Sequence, residues 1–178
     1  MGACRECRGR DFKFHAAAAL WSYSGVARGV LKSLKYSNRR LIAHEIAARM
    51  APLYARLGDC DIVTWVPMSK YKERRRGYNQ SELLARSLAD DLGLGAAPLL
   101  RKTRHTHDQN RLPGRERRKN NVGAFASVSS SSIAGMRVLL VDDIYTTGST
   151  VADCAVALRK AKVAAVYVIT AARTVKEA

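Results

Sequence analysis

The sequence predicts an α/β fold in which a parallel sheet is flanked by helices. The chain has 178 residues, enough for one domain with a single core, and it is 47% hydrophobic and 26% charged, as is typical of globular proteins. Segments rich in β-formers alternate with segments of helical periodicity. Near the end, a strand (Arg137 to Val141), a helix (Gly148 to Lys162) and another strand (Ala164 to Thr170) follow in that order. This order predicts a right-handed parallel crossover.

The first elements are a strand and two helices. Ala17 to Ser24 is predicted to be a short strand, and Gly25 to Lys35 and Leu41 to Leu57 carry apolar residues at helical spacing. The second helix has one apolar stripe, which we interpret as core packing: Ile42, Ile46, Met50, Leu53 and Leu57.

The middle of the chain adds strands, a loop and a helix. Asp61 to Val66 is rich in β-formers and stops at Pro67, which predicts a buried strand that leads into a loop over Met68 to Tyr78. Asn79 to Leu92 is predicted to be a helix, and Leu99 and Leu100 to close a short strand.

Arg101 to Asn121 is polar and basic and contains Pro113 and Gly114, so we expect a long excursion with one helical turn at Arg115 to Lys119. Two interpretations stay open. The excursion closes over a bound ligand and excludes water, or it is a disordered basic loop in the free protein.

Composition limits the classes of function. With 31 Lys and Arg against 15 Asp and Glu, the formal charge is +16, which favours anionic partners such as phosphates or nucleic acid. The longest apolar stretch, Ala16 to Trp21, is too short to span a bilayer, and the N-terminus does not resemble a signal peptide. Four cysteines are too sparse for a secreted disulfide framework, so we expect a cytoplasmic protein.

The segment from Val138 to Val151 carries the clearest chemical pattern. Four apolar residues form a strand, Asp142 and Asp143 mark its carboxyl end, and a hydroxyl-rich loop then runs into a helix. Ligands of open α/β sheets bind beyond the carboxyl ends of strands, and a helix start offers unpaired N–H groups. Residues Thr146 to Thr150 can therefore surround a phosphate, with Gly148 allowing close approach of the backbone.

The two acids are suited to binding hydroxyl groups. Neighbouring residues of a strand point to opposite faces, so Asp142 and Asp143 are not expected to act as a paired acid and base unless the strand has already ended. An alternative is a strand, an Asp-rich turn and a Ser or Thr helix cap, as in many α/β proteins. The complete run is more specific than that alternative.

This run resembles the 5-phosphoribosyl-1-pyrophosphate (PRPP) signature of type I phosphoribosyltransferases, and the wider chain is similar to the ComF family of competence-associated proteins. The resemblance implies a type I phosphoribosyltransferase-like sheet. It implies that Asp142 and Asp143 bind ribose and that the 5-phosphate is bound by the following loop, namely Thr146, Thr147, Gly148, Ser149 and Thr150.

Further segments match the ComF pattern, including Leu34-Lys35-Tyr36, Arg75-Arg76-Gly77-Tyr78-Asn79-Gln80 and parts of the excursion. Val66-Pro67-Met68-Ser69 also resembles the pyrophosphate loop of amidophosphoribosyltransferases. Cations near a pyrophosphate leaving group neutralise its developing charge, and Mg²⁺ binds through substrate phosphates. We therefore expect Mg²⁺ with PRPP, and pyrophosphate binding by Pro67, Met68, Ser69, Lys70, Arg74, Arg75 and Arg76.

The sequence departs from two relatives of that superfamily. Enzymes that act on hypoxanthine or guanine carry an aspartate where this chain has Thr146, so purine salvage of that type is not expected and no catalytic base is assigned. His105 and His107 are alternatives for a base, although histidines in a polar loop are commonly just exposed. Amidophosphoribosyltransferases generate ammonia with a separate glutaminase domain, which we do not expect in this chain, so that reaction is not expected either.

ComF-like chains often begin with a zinc ribbon, and Cys4-Arg5-Glu6-Cys7 resembles its second half. A structural zinc ion takes four ligands, so Cys4 and Cys7 would bind Zn²⁺ only with upstream cysteines. We expect either that this upstream half is missing from the chain, which we favour, or that the ribbon has decayed. Cys60 and Cys154 are expected in or beside core elements. We therefore assign residues 1–15 to a remnant of the ribbon and residues 16–178 to the phosphoribosyltransferase-like domain.

Two functions follow from the resemblance. In the first, the chain transfers the phosphoribosyl group to an unidentified nucleophile, with inversion at the anomeric carbon and release of pyrophosphate. In the second, it senses PRPP without catalysis and works with nucleic acid or the DNA-uptake machinery. The sequence carries no DNA- or RNA-binding motif, only charge, which supports non-specific binding.

Overall fold

The computed structural model describes residues 12–36, 40–103, 123–128 and 132–175. Strands and helices follow one another in this order: β1 (Ala16–Ser22), α1 (Gly25–Tyr36), α2 (Arg40–Tyr54), β2 (Ile62–Trp65), α3 (Lys70–Arg76), α4 (Gln80–Leu92), β3 (Gly95–Ala96), β4 (Leu100–Lys102), β5 (Phe125–Ser127), β6 (Arg137–Tyr145), α5 (Ser149–Lys160) and β7 (Ala165–Arg173).

A five-stranded sheet forms the centre of the fold, in the order β1-β7-β6-β2-β3. All of its neighbouring strands pair in parallel. Strands β4 and β5 form a separate antiparallel pair. The parallel sheet and the β6-α5-β7 crossover confirm the α/β class predicted from the sequence.

Successive side chains of β6 point in turn into two hydrophobic cores, one on each face of the sheet. Leu139 and Val141 belong to the core formed with α1, α2 and α4, whereas Val138 and Leu140 belong to the core formed with α5, β4 and β5. All four side chains are fully buried. The sheet is therefore covered on both faces, which explains why its central strand is a continuous apolar run.

An ion pair fixes the register of β2 against β6 at the amino end of the sheet. Asp61 accepts a hydrogen bond from the backbone N–H of Arg137 at 2.7 Å, and its other oxygen contacts the guanidinium at 3.3 Å. These bonds, led by the one from the backbone, lower the pKa of Asp61. They hold Ile62 opposite Val138, which also aligns the carboxyl ends of the two strands.

The last two strands are longer than predicted. β6 continues past Val141 to Tyr145, and β7 continues past Thr170 to Arg173. Strand pairing uses backbone groups, so the polar side chain of Asp142 does not interrupt its pairing with β7.

The prediction of a loop over Met68 to Tyr78 was wrong for its central part, which forms α3. Ser69 caps this helix by accepting a hydrogen bond from the N–H of Lys72 at 3.3 Å, and Gly77 ends it in a left-handed conformation with φ of 84°. Glu73 in the first turn and arginines in the last turn complement the helix dipole. These capping signals outweigh the repulsion among the basic side chains.

Other helices agree with the predicted spans. In α2, Ile46 and Met50 are buried, although Leu57 lies beyond the end of the helix at Tyr54. Arg101, predicted to open the excursion, belongs to β4. Residues 104–122, including the helical turn predicted at Arg115 to Lys119, lie outside the described residues.

Candidate active site at the carboxyl edge of the sheet

The candidate site lies where the direction of strand order reverses. From β2 the chain proceeds outward to β3, whereas from β6 it proceeds outward to β7 on the other side. Because β2 and β6 are neighbours, their carboxyl ends flank a topological switch point, the position where open parallel sheets bind ligands. The segments after both strands are the two that the sequence singled out.

The two acids near the carboxyl end of β6, Asp142 and Asp143, are held by the first turn of α4. The Ser81 hydroxyl donates to Oδ1 of Asp142 at 2.9 Å, and Nε2 of Gln80 donates to Oδ2 of Asp143 at 3.3 Å. Oδ1 of Asp142 also accepts the backbone N–H of Asp143. Asp142 is buried and Asp143 is partly exposed. Although strand alternation turns the two side chains to different faces, both carboxylates are anchored to the same helix end.

The segment after β2 is fixed beside these acids. The N–H of Val66 donates to the carbonyl of Val141 at 3.0 Å, and Nδ2 of Asn79 donates to the carbonyl of Val66 at 3.0 Å. Oδ1 of Asn79 also caps α4 by accepting the N–H of Ser81. The start of the Pro67 to Ser69 loop is thus attached to both β6 and α4.

The hydroxyl-rich loop leads directly into α5, as predicted. Gly148 is the N-cap residue, with φ of 75° and no side-chain hydrogen bond that caps the helix. The hydroxyls of Thr147 and Ser149 lie 2.9 Å apart. Thr146 is exposed, and its carbonyl accepts a hydrogen bond from the Thr174 hydroxyl at 3.1 Å. Backbone N–H groups and hydroxyls therefore converge at this helix start, the arrangement that binds phosphate groups.

The basic residues of α3 divide into two groups. Lys70, Arg74 and Arg75 are exposed. Arg76 is partly buried, and its Nη1 donates to Oε1 of Gln80 at 2.6 Å. Arg76 is thus linked to Asp143 through Gln80.

Two lysines that the sequence analysis did not single out lie near this edge. Burial and the positive charge of Lys72 lower the pKa of Lys102 below its ordinary value. Nζ of Lys102 lies 5.7 Å from the ring centroid of Phe125. Since Lys72 is on α3 and Lys102 on β4, the fold brings cations from two elements together. No sequence signal could have paired them, because β4 and α3 are distant in the chain.

The cysteines that the structure describes are buried. Burial raises the pKa of Cys60 to about 11 and that of Cys154 well above its ordinary value. Both lie in the hydrophobic cores, as expected. Cys4 and Cys7, predicted to bind zinc, lie outside the described residues, as do His105 and His107.

Within the described ranges, no group of three or more His, Cys, Asp or Glu side chains is placed to hold a metal ion. The same part of the chain contains no helix long and apolar enough to cross a membrane.

The sequence motif did not reveal how the acids are held. Asn79, Gln80 and Ser81 are polar residues at a helix start, yet each is buried, with 4%, 6% and 4% of its surface exposed. From the sequence, this segment was interpreted as a helix start and as part of the ComF pattern, and neither interpretation indicates a contact with the acids. A helix that begins with three polar residues beside an apolar stripe is the signal that could have indicated a polar contact there.

Solved structures establish the class of fold. Glutamine PRPP amidotransferase from B. subtilis superposes with a TM-score of 0.52 at 23% identity, covering 78% of this chain and 30% of that one. A structure described as the allosteric regulatory enzyme of purine biosynthesis gives a TM-score of 0.53 at 23% identity, covering 79% and 30%. The sheet and its flanking helices thus share the fold of these structures.

Sequence comparison then gives the family. The profile of the phosphoribosyl transferase domain matches residues 79–177, more than half of the chain. Competence protein F of Haemophilus influenzae is 38% identical over 97 residues, which cover 53% of this chain and 42% of that protein. DNA utilization protein YhgH of Escherichia coli K12 is 31% identical over 178 residues, covering 96% and 78%. Competence protein ComFC of Bacillus subtilis is 26% identical over 182 residues, covering 96% and 72%. The chain belongs to the ComF family of type I phosphoribosyltransferase-like proteins.

Proposed function

We propose that this chain binds PRPP at the switch point between β2 and β6 and transfers the phosphoribosyl group to an unidentified nucleophile, releasing pyrophosphate. The observation that carries the proposal is the anchored pair Asp142 and Asp143 on β6, followed by the helix start at Gly148. In this proposal the acid pair binds the ribose end of a ribose 5-phosphate and the helix start binds its phosphate end.

The ribose and its phosphate would be bound by groups of opposite character. The carboxylates of Asp142 and Asp143 accept hydrogen bonds from ribose hydroxyls, since ionised carboxylates are acceptors only. The 5-phosphate lies at the start of α5, where Thr146, Thr147, Gly148, Ser149 and Thr150 supply backbone N–H groups and hydroxyls. This assignment orients the anomeric carbon toward the segment after β2.

The pyrophosphate would lie against that segment. Pro67, Met68 and Ser69 form the loop, and cations follow on α3, namely Lys70, Arg74, Arg75 and Arg76. We add Lys72 and Lys102, because their mutual repulsion would be relieved by an anion between α3 and β4. Fixed cations stabilise the negative charge that develops as the bond between the anomeric carbon and pyrophosphate oxygen breaks.

Mg²⁺ fits this site by the chemistry of its donors. Two carboxylates of the described chain stand at the strand end, and Mg²⁺ takes one or two carboxylates together with water and substrate phosphates. When bound, it would neutralise phosphate charge. Asp142 and Asp143 are the residues that would hold it.

The acceptor attacks the anomeric carbon from the face opposite the leaving pyrophosphate, which inverts the configuration. Its lone pair forms the new bond while the pyrophosphate oxygen takes the electrons of the old one. Thr146 occupies the position of the aspartate that serves purine-salvage enzymes, and a threonine does not act as a base near neutral pH. We therefore assign no catalytic base and expect an acceptor other than hypoxanthine or guanine.

A second function is favoured by the net charge of +16 and by the names of the relatives, which refer to competence and DNA utilization. In this alternative the chain senses PRPP without transferring it and acts with nucleic acid or with DNA-uptake proteins. The two functions differ in whether pyrophosphate is released. Non-specific nucleic-acid binding would also weaken steeply with salt, because it depends on counterion release.

The test is calorimetric titration with PRPP and Mg²⁺, comparing the native chain with Asp142→Asn plus Asp143→Asn. We expect saturable binding by the native chain and its loss in the double variant, since amides neither attract the metal ion nor accept as many hydrogen bonds. An acceptor screen for pyrophosphate release would then separate the enzyme from the sensor.

Asp90→Asn plus Asp91→Asn is the matched control, because these exposed acids of α4 carry the same change in charge away from β6. The control should bind like the native chain. A native chain that is folded by circular dichroism but does not bind PRPP would refute the proposed function.

A further inference from the structure

The side chain of Gln80 joins two parts of the site that come from different elements. Its Oε1 accepts a hydrogen bond from Arg76 at the end of α3 at 2.6 Å, and its Nε2 donates to Asp143 on β6 at 3.3 Å. A guanidinium only donates and a carboxylate only accepts, so the chemistry of the partners fixes the orientation of the amide.

This bridge is built into the protein interior. Gln80 is 6% exposed and is the first residue of α4, a helix whose next residue, Ser81, bonds to Asp142. Asn79, just before it, bonds to the segment after β2. The amide is therefore held by a rigid helix end, and a buried polar group of this kind is stable only when its partners are present.

We propose that Gln80 is a positioning residue that sets the distance between the Asp143 carboxylate and the Arg76 guanidinium. This inference rests on the proposed function. Gln80 would align the ribose-binding end of the site with the pyrophosphate-binding end. An amide suits this role because one planar group accepts from the cation and donates to the anion. A carboxylate at this position would repel Asp143, and an apolar side chain would contact neither partner.

Two variants separate these interactions. Gln80→Met keeps the length of the side chain and removes both hydrogen bonds, whereas Gln80→Glu keeps the bond to Arg76 and places a like charge against Asp143. In calorimetry with PRPP and Mg²⁺, we expect the affinity to fall by roughly tenfold or more in Gln80→Met and further in Gln80→Glu, as expected for loss of hydrogen bonds to charged groups.

Inorganic phosphate is the control ligand, followed by ³¹P NMR, because a single phosphate cannot span from the loop at the start of α5 to the cations of α3 and so does not depend on the alignment of the two ends. A positioning role predicts that its affinity is unchanged in both variants while that of PRPP falls. If Gln80→Glu does not fold, Gln80→Met carries the comparison alone.

Unchanged PRPP affinity in the variants would overturn the inference. An equal fall in the affinities for PRPP and phosphate, with a lower thermal midpoint, would also overturn it, since Gln80 would then serve only the stability of the fold. Failure of the native chain to bind PRPP is a separate outcome, seen before any variant is made, and it rejects the proposed function itself.

Discussion

At the scale of single residues, Gly148 has a backbone conformation on which the shape of the loop before α5 depends. Its φ of 75° lies in the left-handed region, and a Cβ atom there would collide with the ring and hydroxyl of Tyr145. Gly148 thus allows both the turn into α5 and the close packing of Tyr145 over the loop.

Gly148→Ala should therefore lower the free energy of unfolding by about 1–2 kcal/mol, the cost of a left-handed conformation for a residue with Cβ. Movement of Tyr145 would also disturb the loop, so PRPP binding should weaken. Urea unfolding and calorimetry measure the two effects.

Gly29→Ala is the matched control, because Gly29 lies within α1 and a Cβ atom there meets nothing within 4 Å. It should stabilise the helix by roughly 0.5–1 kcal/mol. Equal stability of Gly148→Ala and the native chain would show that the loop tolerates a side chain and would contradict the geometry described above.

At the scale of elements, α3 and β4 each carry a lysine, and the charge of one acts on the other although the elements lie far apart in the chain. Burial and then the charge of Lys72 disfavour the charged form of Lys102 and lower its pKa from 10.5. The charged Lys102 therefore lowers the free energy of unfolding. This cost is present below the lowered pKa and disappears as pH rises from that value to 10.5.

Lys72→Met should raise the pKa of Lys102 toward its ordinary value, because the variant removes the positive charge of Lys72 and leaves burial as the cause that lowers this pKa. NMR titration of the lysine side-chain signals measures this pKa. Lys70→Met, which removes an exposed cation from the same helix, should leave it unchanged. If the pKa of Lys102 is the same in Lys72→Met as in the native chain, the charge of Lys72 does not act on Lys102 in solution, and the proposed anion position between α3 and β4 loses its support.

The sequence predicted most elements because each carries its own local signal. The apolar run Val138 to Val141, the stripe of α2 and the cap residues around α4 are local patterns. The helix α3 was missed because its composition, five basic residues in seven, is typical of a solvated loop, whereas its capping by Ser69 and Gly77 is weaker as a signal.

The sequence predicted the residues of the local motif in the candidate site but not the contacts that hold them. The motif from Asp142 to Thr150 lies on one continuous segment, so its residues could be proposed together. The candidate site also depends on long-range pairing. Gln80 and Ser81 hold acids that lie 63 and 61 residues further along the chain, and β2 pairs with β6 between Ile62 and Val138. Such pairings are set by the packing of the whole sheet and have no local signature.

At the scale of the whole molecule, the parts of the site are held from both faces of the sheet. Helix α4, which anchors the acids, packs in one core, and α5, which follows the hydroxyl-rich loop, packs in the other. The parallel sheet between them keeps the two helix starts at one edge. The proposed ligand, with a phosphate at one end and a pyrophosphate at the other, would extend along this edge between the two helix starts.

A crystal structure of the native chain with PRPP and Mg²⁺ is the most direct test of this account. We predict density for the 5-phosphate at the backbone N–H groups of the Gly148 to Thr150 helix start. The ribose hydroxyls should lie against Asp142 and Asp143, with the pyrophosphate between α3 and β4. A ligand bound elsewhere on the basic surface, with the loop before α5 empty, would contradict the central claim.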